Sequence, residues 1–255
     1  MNPLEKAFSL GRPALVTYLT AGDPGLEASV EMFKACDEGG ADVVEIGVPF
    51  SDPGADGPAI QRASERALEA GGSIEGALEI ASRLRRDLPK VLFGYLNPFH
   101  AFGYERLAER CEEAGIHGLL CVDCPPEEEE EFRAALKSRG VAPIMLAAPT
   151  TPDSRLPTIA GAGAGFLYYV SMTGVTGAEV DLTGVGERVA AIREIAKMPV
   201  AVGFGIRSGE DVARLAPHVD GVVVGSELVR IVEREGANAA DELREKVREL
   251  AAGLS

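Results

Sequence analysis

Short apolar runs alternate with amphipathic stretches from one end of the chain to the other. Eight of these runs read as strands: Ala14–Leu19, Val43–Val48, Val91–Leu96, Gly118–Val122, Val141–Leu146, Gly165–Val170, Val200–Phe204 and Gly221–Val224. They are rich in β-formers and do not alternate strictly, as expected for parallel strands buried on both faces. Helical patterns lie between them. Leu26–Glu38 is one, Glu127–Ser138 follows the Pro125-Pro126 start signal, and Ser208-Gly209-Glu210-Asp211 has the spacing of a capping box. The acidic run Glu127–Glu131 reads as a solvated first helical turn, where negative charge suits the helix dipole. Eight strands in 255 residues give one strand–helix unit per about 32 residues, the size of a (β/α)8 repeat. No Gly/Ser/Pro-rich linker interrupts the series. The pattern predicts a single (β/α)8 barrel domain over 1–255 with short extra helices, and a doubly wound open sheet is the alternative.

Composition narrows the function classes. The chain is 46% hydrophobic with a formal net charge of −15, which argues against a nucleic-acid surface. No apolar run approaches the roughly 20 residues needed to cross a bilayer, and the start, Met1-Asn2-Pro3-Leu4-Glu5, is not a signal peptide pattern. A cytoplasmic protein is expected. With this global charge, an anionic ligand must be held by local backbone dipoles. Cys121 and Cys124 form a C-x-x-C spacing, but both fall in or just past the fourth apolar run. Residues three apart on a strand face opposite ways, so the pair is expected to be two small buried hydrophobes and not a chelate.

In such a barrel, chemistry sits where strands end and the following loops begin. Glu45 lies inside an apolar strand, where a carboxylate is costly unless paired or functional. The loop after it carries Asp52 and Asp56 among three prolines. Asp52 reads equally well as a local turn residue; Glu45 and Asp56 read as a pair of acids meeting at one strand end. Glycine-rich ends follow three later strands: Thr176-Gly177, Gly203-Phe204-Gly205 and Gly225-Ser226. Glycine lets amides approach an anion closely, and Ser226–Arg230 fits the short phosphate-binding helix common beyond the eighth strand. A Schiff-base aldolase would need a lysine at a strand end facing the mouth. Lys6, Lys34, Lys137 and Lys246 fall on helical stretches, and Lys90 and Lys197 precede strands at the opposite face. The three histidines lack metal-ligand spacing, and His100 reads as a packing or surface residue. A lyase run by carboxylates, with no cofactor and no metal, is the expectation.

The segment Glu45-Ile-Gly-Val-Pro-Phe-Ser-Asp-Pro-Gly-Ala-Asp-Gly-Pro58 resembles the signature of tryptophan synthase α-subunits. So do Thr20–Pro24, Tyr95–Pro98, Asp123–Pro125, Ser171–Gly177, Gly203–Ile206 and Gly225-Ser226, in order along nearly the whole chain. Gly54 departs from the larger apolar residue usual there and points to a looser loop around Asp56; Tyr18 replaces a phenylalanine and Met172 an arginine of some members. The resemblance implies cleavage of indole-3-glycerol phosphate to indole and glyceraldehyde 3-phosphate. Glu45 would be the general acid, base or both, and Asp56 would accept the indole N–H. Tyr18, Phe93, Tyr95, Leu120, Val122, Leu146, Tyr168 and Phe204 would meet the substrate, and Thr176 would bond Asp56 when the loop Met172–Asp181 closes as a lid. Amides of Gly177, Gly205, Gly225 and Ser226, with that of Phe204, would hold the phosphate. It also implies a tryptophan synthase β-subunit as partner in an α2β2 assembly, met through Pro49, Asp52, Asn97 and Pro125, with pyridoxal phosphate belonging to that partner. A stand-alone indole-releasing lyase, a non-catalytic activator and another sugar-phosphate barrel enzyme are the competing readings.

Overall fold

The computed structural model describes residues 3–170, 182–203 and 205–254. The elements run α1 (Pro3–Ala7), β1 (Ala14–Thr20), α2 (Leu26–Gly39), β2 (Val43–Gly47), α3 (Pro58–Glu69), α4 (Ile74–Arg83), β3 (Lys90–Gly94), α5 (Leu96–Phe102), α6 (Tyr104–Ala114), β4 (Gly118–Cys121), α7 (Glu130–Ser138) and β5 (Ala142–Ala147). They continue with α8 (Leu156–Ala162), β6 (Leu167–Val170), α9 (Leu182–Ala196), β7 (Val200–Gly203), α10 (Gly209–Leu215), β8 (Gly221–Val224), α11 (Ser226–Glu235) and α12 (Ala240–Ala252). Each strand pairs in parallel with the next, and β8 pairs with β1, so the sheet closes into a barrel. This is the (β/α)8 fold, not the open sheet. A parallel strand must return through a crossover, and the helices that make the returns cover the outer face of the sheet.

The two faces of the strands build two cores. Leu15, Leu19, Val44, Ile46, Leu92 and Leu119 pack outward against the helices. Val16, Val43, Val91, Leu120, Ile144, Ala201 and Val223 fill the interior. The N-terminal α1 belongs to this inner cluster: Leu4 and Ala7 are buried in it, and Phe8 stacks on Phe166 at 4.7 Å between ring centres. With one end plugged by α1, the partly open inner residues Phe93, Val122, Leu146 and Tyr168 lie at the other end.

Several element boundaries differ from the sequence pattern. The third strand begins one residue earlier, at Lys90, and ends at Gly94; Tyr95 caps α5, so Leu96 starts a helix and not a strand end. The helix expected from Glu127 starts at Glu130, because Glu129 takes a left-handed φ of 51° and the chain before it is a turn. Buried Arg133 fixes that turn by donating to the carbonyls of Pro125, Pro126 and Glu128. Only Glu130 and Glu131 of the acidic run occupy the first helical turn. Val122, Val141, Gly165 and Phe166 fall outside the strands. The capping box at Ser208 and Asp211 is present on both sides.

Lys90 is not a residue preceding a strand but the first residue of β3, and it is fully buried. Its ammonium donates to the carbonyls of Ala81 (3.0 Å), Arg85 (3.3 Å) and Ala114 (3.3 Å), near the C-terminal ends of α4 and α6. Helix C-termini carry unpaired carbonyls and partial negative charge, so a cation there satisfies both. Burial lowers its pKa to about 8. Lys90→Met should therefore cost about 2–4 kcal/mol in urea unfolding, since it strands buried carbonyls, while turnover per folded molecule stays within about twofold. A loss below roughly 0.5 kcal/mol would show that these carbonyls do not need the ammonium.

Candidate active site

Glu45 is the central residue of β2, in register with Tyr18 of β1 and Val91 of β3. It is 0% exposed, and among the described residues neither carboxylate oxygen has a hydrogen-bond partner. Burial alone pushes its pKa up to about 8. A carboxyl group at neutral pH is then mostly protonated and can give a proton away.

Asp56 sits on the loop between β2 and α3, and that loop is pinned despite Gly54. Gly54 N–H donates to the Asp52 carbonyl (2.8 Å) and Asp56 N–H to the Pro53 carbonyl (3.0 Å). Gln61 of α3 reaches back to the Asp56 carbonyl at 2.9 Å. The Tyr95 hydroxyl donates to Asp56 Oδ2 at 2.9 Å and accepts from Ala55 N–H at 3.1 Å. Burial raises the Asp56 pKa to about 6, and the Tyr95 bond holds it below where burial alone would put it. Tyr95 therefore orients a carboxylate as well as lining the mouth. Asp52 lies on the surface with its side chain bonded to Ser51 (2.5 Å), a local turn residue.

Two phenols connect the acids. Tyr18 stands in register with Glu45, and the pKa values of Tyr18 and Tyr168 are both raised, first by burial and then by the charges of Glu45 and Asp56. Each ring lies over a strand glycine. A Cβ on Gly47 would stand 2.2 Å from the Tyr18 hydroxyl, and one on Gly203 would stand 2.7 Å from that of Tyr168. Phe93 meets Tyr18 edge-on at 5.2 Å between ring centres. Leu120 closes the inner layer beneath, with Val122 and Leu146 partly open in the same cluster.

Gly225 caps α11, whose first residue is Ser226, so the amides of a ten-residue helix open at the end of β8. Gly225 itself packs against the Tyr18 ring, with a Cβ site 3.3 Å from Tyr18 Cβ. Gly205 is exposed with a left-handed φ of 64°. Arg207 is exposed, and its amide is engaged by the Asp211 carboxylate at 3.0 Å. Thr176, Gly177, Phe204 and the segment Met172–Asp181 lie outside the described residues.

Sequence reasoning gave no role to one ion pair beside the site. Asp23, 3% exposed in the loop after β1, receives both arms of Arg66 from α3 at 3.0 and 2.6 Å. Glu233 of α11 joins Arg66 and Arg62, so the helix following the Asp56 loop is tied to the helix opening at Ser226. The motif Thr20–Pro24 was visible, but its partner lies 43 residues away. The C-x-x-C pair is buried in the apolar core as expected, but the two residues do not share a strand. Strand β4 ends at Cys121 and the chain turns at Val122 and Asp123, so Cys124 lies past the strand on the far side of a turn. His100 is exposed and edges onto Tyr104. Among the described residues no cluster of three or more metal-ligating side chains occurs, and no helix is long and apolar enough to cross a membrane.

Residues 4–254 match the family model described as tryptophan synthase alpha chain. The chain is 49% identical over 238 residues to the tryptophan synthase alpha chain of Laribacter hongkongensis, covering 92% of this chain and 90% of that one. It is 48% identical over 258 residues to that of Novosphingobium aromaticivorans, covering 100% and 97%. The chain belongs to the tryptophan synthase alpha chain family. A crystal structure of tryptophan synthase from M. tuberculosis superposes with a TM-score of 0.90 at 34% identity, covering 100% of this chain and 99% of that chain. Agreement at that level extends the family assignment from sequence to the whole barrel.

The isolated Glu45 carboxylate makes a stability prediction with a definite sign. Its folded pKa of about 8 lies above the ordinary 4.5, so the native state holds this proton more tightly than the unfolded chain. The associated stability is present below pH 4.5 and is lost as pH rises through 8. Glu45→Gln carries no such charge. Its melting temperature should match wild type near pH 4.5 and exceed it increasingly up to pH 8, by the equivalent of several kcal/mol at about 1.4 kcal/mol per pKa unit. A difference that stays flat from pH 5 to 8.5 would show that the carboxylate finds a partner.

Proposed function

We infer that this chain is the lyase subunit of a tryptophan synthase, splitting indole-3-glycerol phosphate by a retro-aldol step into indole and glyceraldehyde 3-phosphate. The observation that carries this reading is the fully buried Glu45 on β2 with the partly buried, Tyr95-bound Asp56 on the loop that follows. Burial raises their pKa values to about 8 and about 6, so that one keeps its proton and the other is ionised near neutrality. The reaction asks for both states. Indole becomes a leaving group when C3 takes a proton, and the neighbouring side-chain hydroxyl must lose one. Protonated Glu45 supplies the first proton and, once ionised, accepts the second. As C3 is protonated, positive charge builds on the ring nitrogen, and ionised Asp56, held by Tyr95, stabilises it by accepting the N–H. The apolar indole fits among Tyr18, Phe93, Leu120, Val122, Leu146 and Tyr168.

The phosphate lies on the amides of Gly205, Gly225 and Ser226, where a helix N-terminus offsets the chain's negative charge. Thr176, Gly177 and Phe204 keep the roles that the family resemblance implies. The partner is a β-subunit in an α2β2 assembly, met by the loops carrying Pro49, Asp52, Asn97 and Pro125. Indole is apolar enough to escape across membranes, which gives a physical reason to pass it directly to that partner. An indole-release assay of the purified chain, alone and with a β-subunit, tests the reading: release from indole-glycerol phosphate, faster with the partner, is expected, and no release in either case overturns it.

Glu45→Gln should keep substrate binding while turnover falls by about 100- to 10,000-fold, and Asp56→Asn should lower kcat more than it raises KM. Turnover of Glu45→Gln within tenfold of wild type removes Glu45 from proton transfer. The pH dependence of kcat/KM should rise through about 6 as Asp56 ionises and fall through about 8 as Glu45 loses its proton. Tyr95→Phe removes the hydrogen bond that favours the Asp56 anion, so the lower limb should move to higher pH. A lower limb that stays in place would assign it to another group.

A further inference from the structure

The C-x-x-C pair is the one sequence motif that the proposed chemistry leaves unused. Cys121 closes β4, and the turn through Val122 and Asp123 folds Cys124 back beside it, with both side chains buried. A four-residue turn brings its end Cα atoms within about 7 Å, and a disulfide spans about 4.4–6.8 Å between Cα atoms. Closure therefore needs little backbone movement. The surroundings divide the labour between the sulfurs. Arg133 is threaded into the loop just beyond Cys124, with its guanidinium on the carbonyls of Pro125, Pro126 and Glu128. The thiol of Cys121 donates to Asp123 Oδ1 at 3.5 Å. The same oxygen accepts the Leu96 N–H at 2.7 Å. Leu96 follows Tyr95, whose hydroxyl holds Asp56 at 2.9 Å. A continuous path of short contacts thus runs from the thiol pair to a site carboxylate.

We propose that Cys121 and Cys124 form a redox-active dithiol that a low-molecular-weight disulfide, such as oxidised glutathione, converts to an intramolecular disulfide, and that closure loosens the positioning of Asp56. Cys124 reacts first: the Cys121 thiol beside it and the nearby Arg133 charge lower its pKa. It attacks one sulfur of the reagent, forming a mixed disulfide and expelling one thiolate. Cys121, deprotonated, then attacks the Cys124 sulfur and expels the second thiolate. Two thiol protons are released and two electrons pass to the reagent. The new bond removes the S–H donor from Asp123 and draws the Cys121 sulfur toward Cys124, so the carboxylate anchoring Leu96 loses one of its contacts. Cys36 and Cys111 are fully buried with pKa values pushed up to about 12, and they serve as internal unreactive controls.

The test equilibrates the full-length chain in glutathione buffers of graded oxidised-to-reduced ratio, then reads intact mass, the peptide map and indole release. The expected oxidised species has lost two hydrogens, carries its bond between Cys121 and Cys124, and shows kcat lower by about tenfold, the scale of a small misplacement of a positioned group. Dithiothreitol restores it. Kept reduced, Cys121→Ser and Cys124→Ala should both retain wild-type kcat; in oxidised buffers Cys124→Ala should stay unmodified, whereas Cys121→Ser should stop at the mixed disulfide on Cys124. The dithiol is overturned if neither the mass loss nor the 121–124 bond forms at any ratio, or if the bond forms between other cysteines. The coupling to Asp56 is overturned if the bond forms and kcat is unchanged. The activity readout rests on the lyase reading and the mass readout does not, so a reduced chain that releases no indole overturns that reading while the peptide map still decides the dithiol.

Discussion

A carboxylate buried inside a closed barrel, without a hydrogen-bond partner among the described residues, is the constraint around which this site is arranged. Glu45 is there because it is the middle residue of a strand whose inward positions fill the barrel, between neighbours that offer it only apolar side chains and a phenol ring. Water cannot reach it, so the charged form is disfavoured and the proton stays on at neutral pH. The same isolation that makes Glu45 a usable acid makes it a destabilising residue when ionised. Function and stability oppose each other at this one side chain, and the rest of the barrel must absorb the difference. The buried Lys90 is its counterpart at the opposite ends of the strands, a charge whose three carbonyl partners are supplied by helix ends.

The second acid is handled in a different way. Asp56 rides on a loop, remains partly buried, and takes its orientation from Tyr95 on the neighbouring strand end. A hydrogen bond to the anion and a less complete loss of water leave it ionised where Glu45 is not. Two residues of similar chemistry are thereby separated by about two pKa units through their surroundings. The rings of Tyr18 and Tyr168 lie where they do only because Gly47 and Gly203 leave room for them. On the proposed mechanism, that separation is what permits a proton to be delivered at one point of the substrate while positive charge is stabilised at another.

The outer elements bear on the site through a few long-range polar contacts. The pair Asp23–Arg66, joined to Glu233, links the loop after β1, the helix behind Asp56 and the helix opening at the proposed phosphate cradle. On the other side, the Asp123 carboxylate joins the end of β4 to the start of α5 and so to Tyr95. Both contacts fix one loop against its neighbour at the mouth of the barrel. An acidic chain that must hold a phosphate needs such order, because amides bind an anion well only when their geometry is set beforehand.

What could be read from the chain itself was whatever depends on local pattern. The continuous apolar runs of parallel strands and the spacing of one strand–helix unit after another specify eight strands and the barrel, since periodicity and turn residues act over a few positions. Glu45 stood out for the same reason, as a charge where the pattern demands an apolar residue. Boundaries were less legible: Leu96 looks like a strand residue until Tyr95 caps a helix, and Glu127 to Glu129 look helical until Arg133 pulls the preceding carbonyls into a turn. Pairings were not legible at all. The bond from Tyr95 to Asp56 spans 39 residues, Arg66 meets Asp23 across 43, and Cys124 meets Cys121 only because β4 stops where it does. Local sequence can make a segment a strand or a helix through short-range sterics and hydrogen bonding. Which distant side chains then share a desolvated space, and so which carboxyl keeps its proton, is decided only when the barrel closes and excludes water.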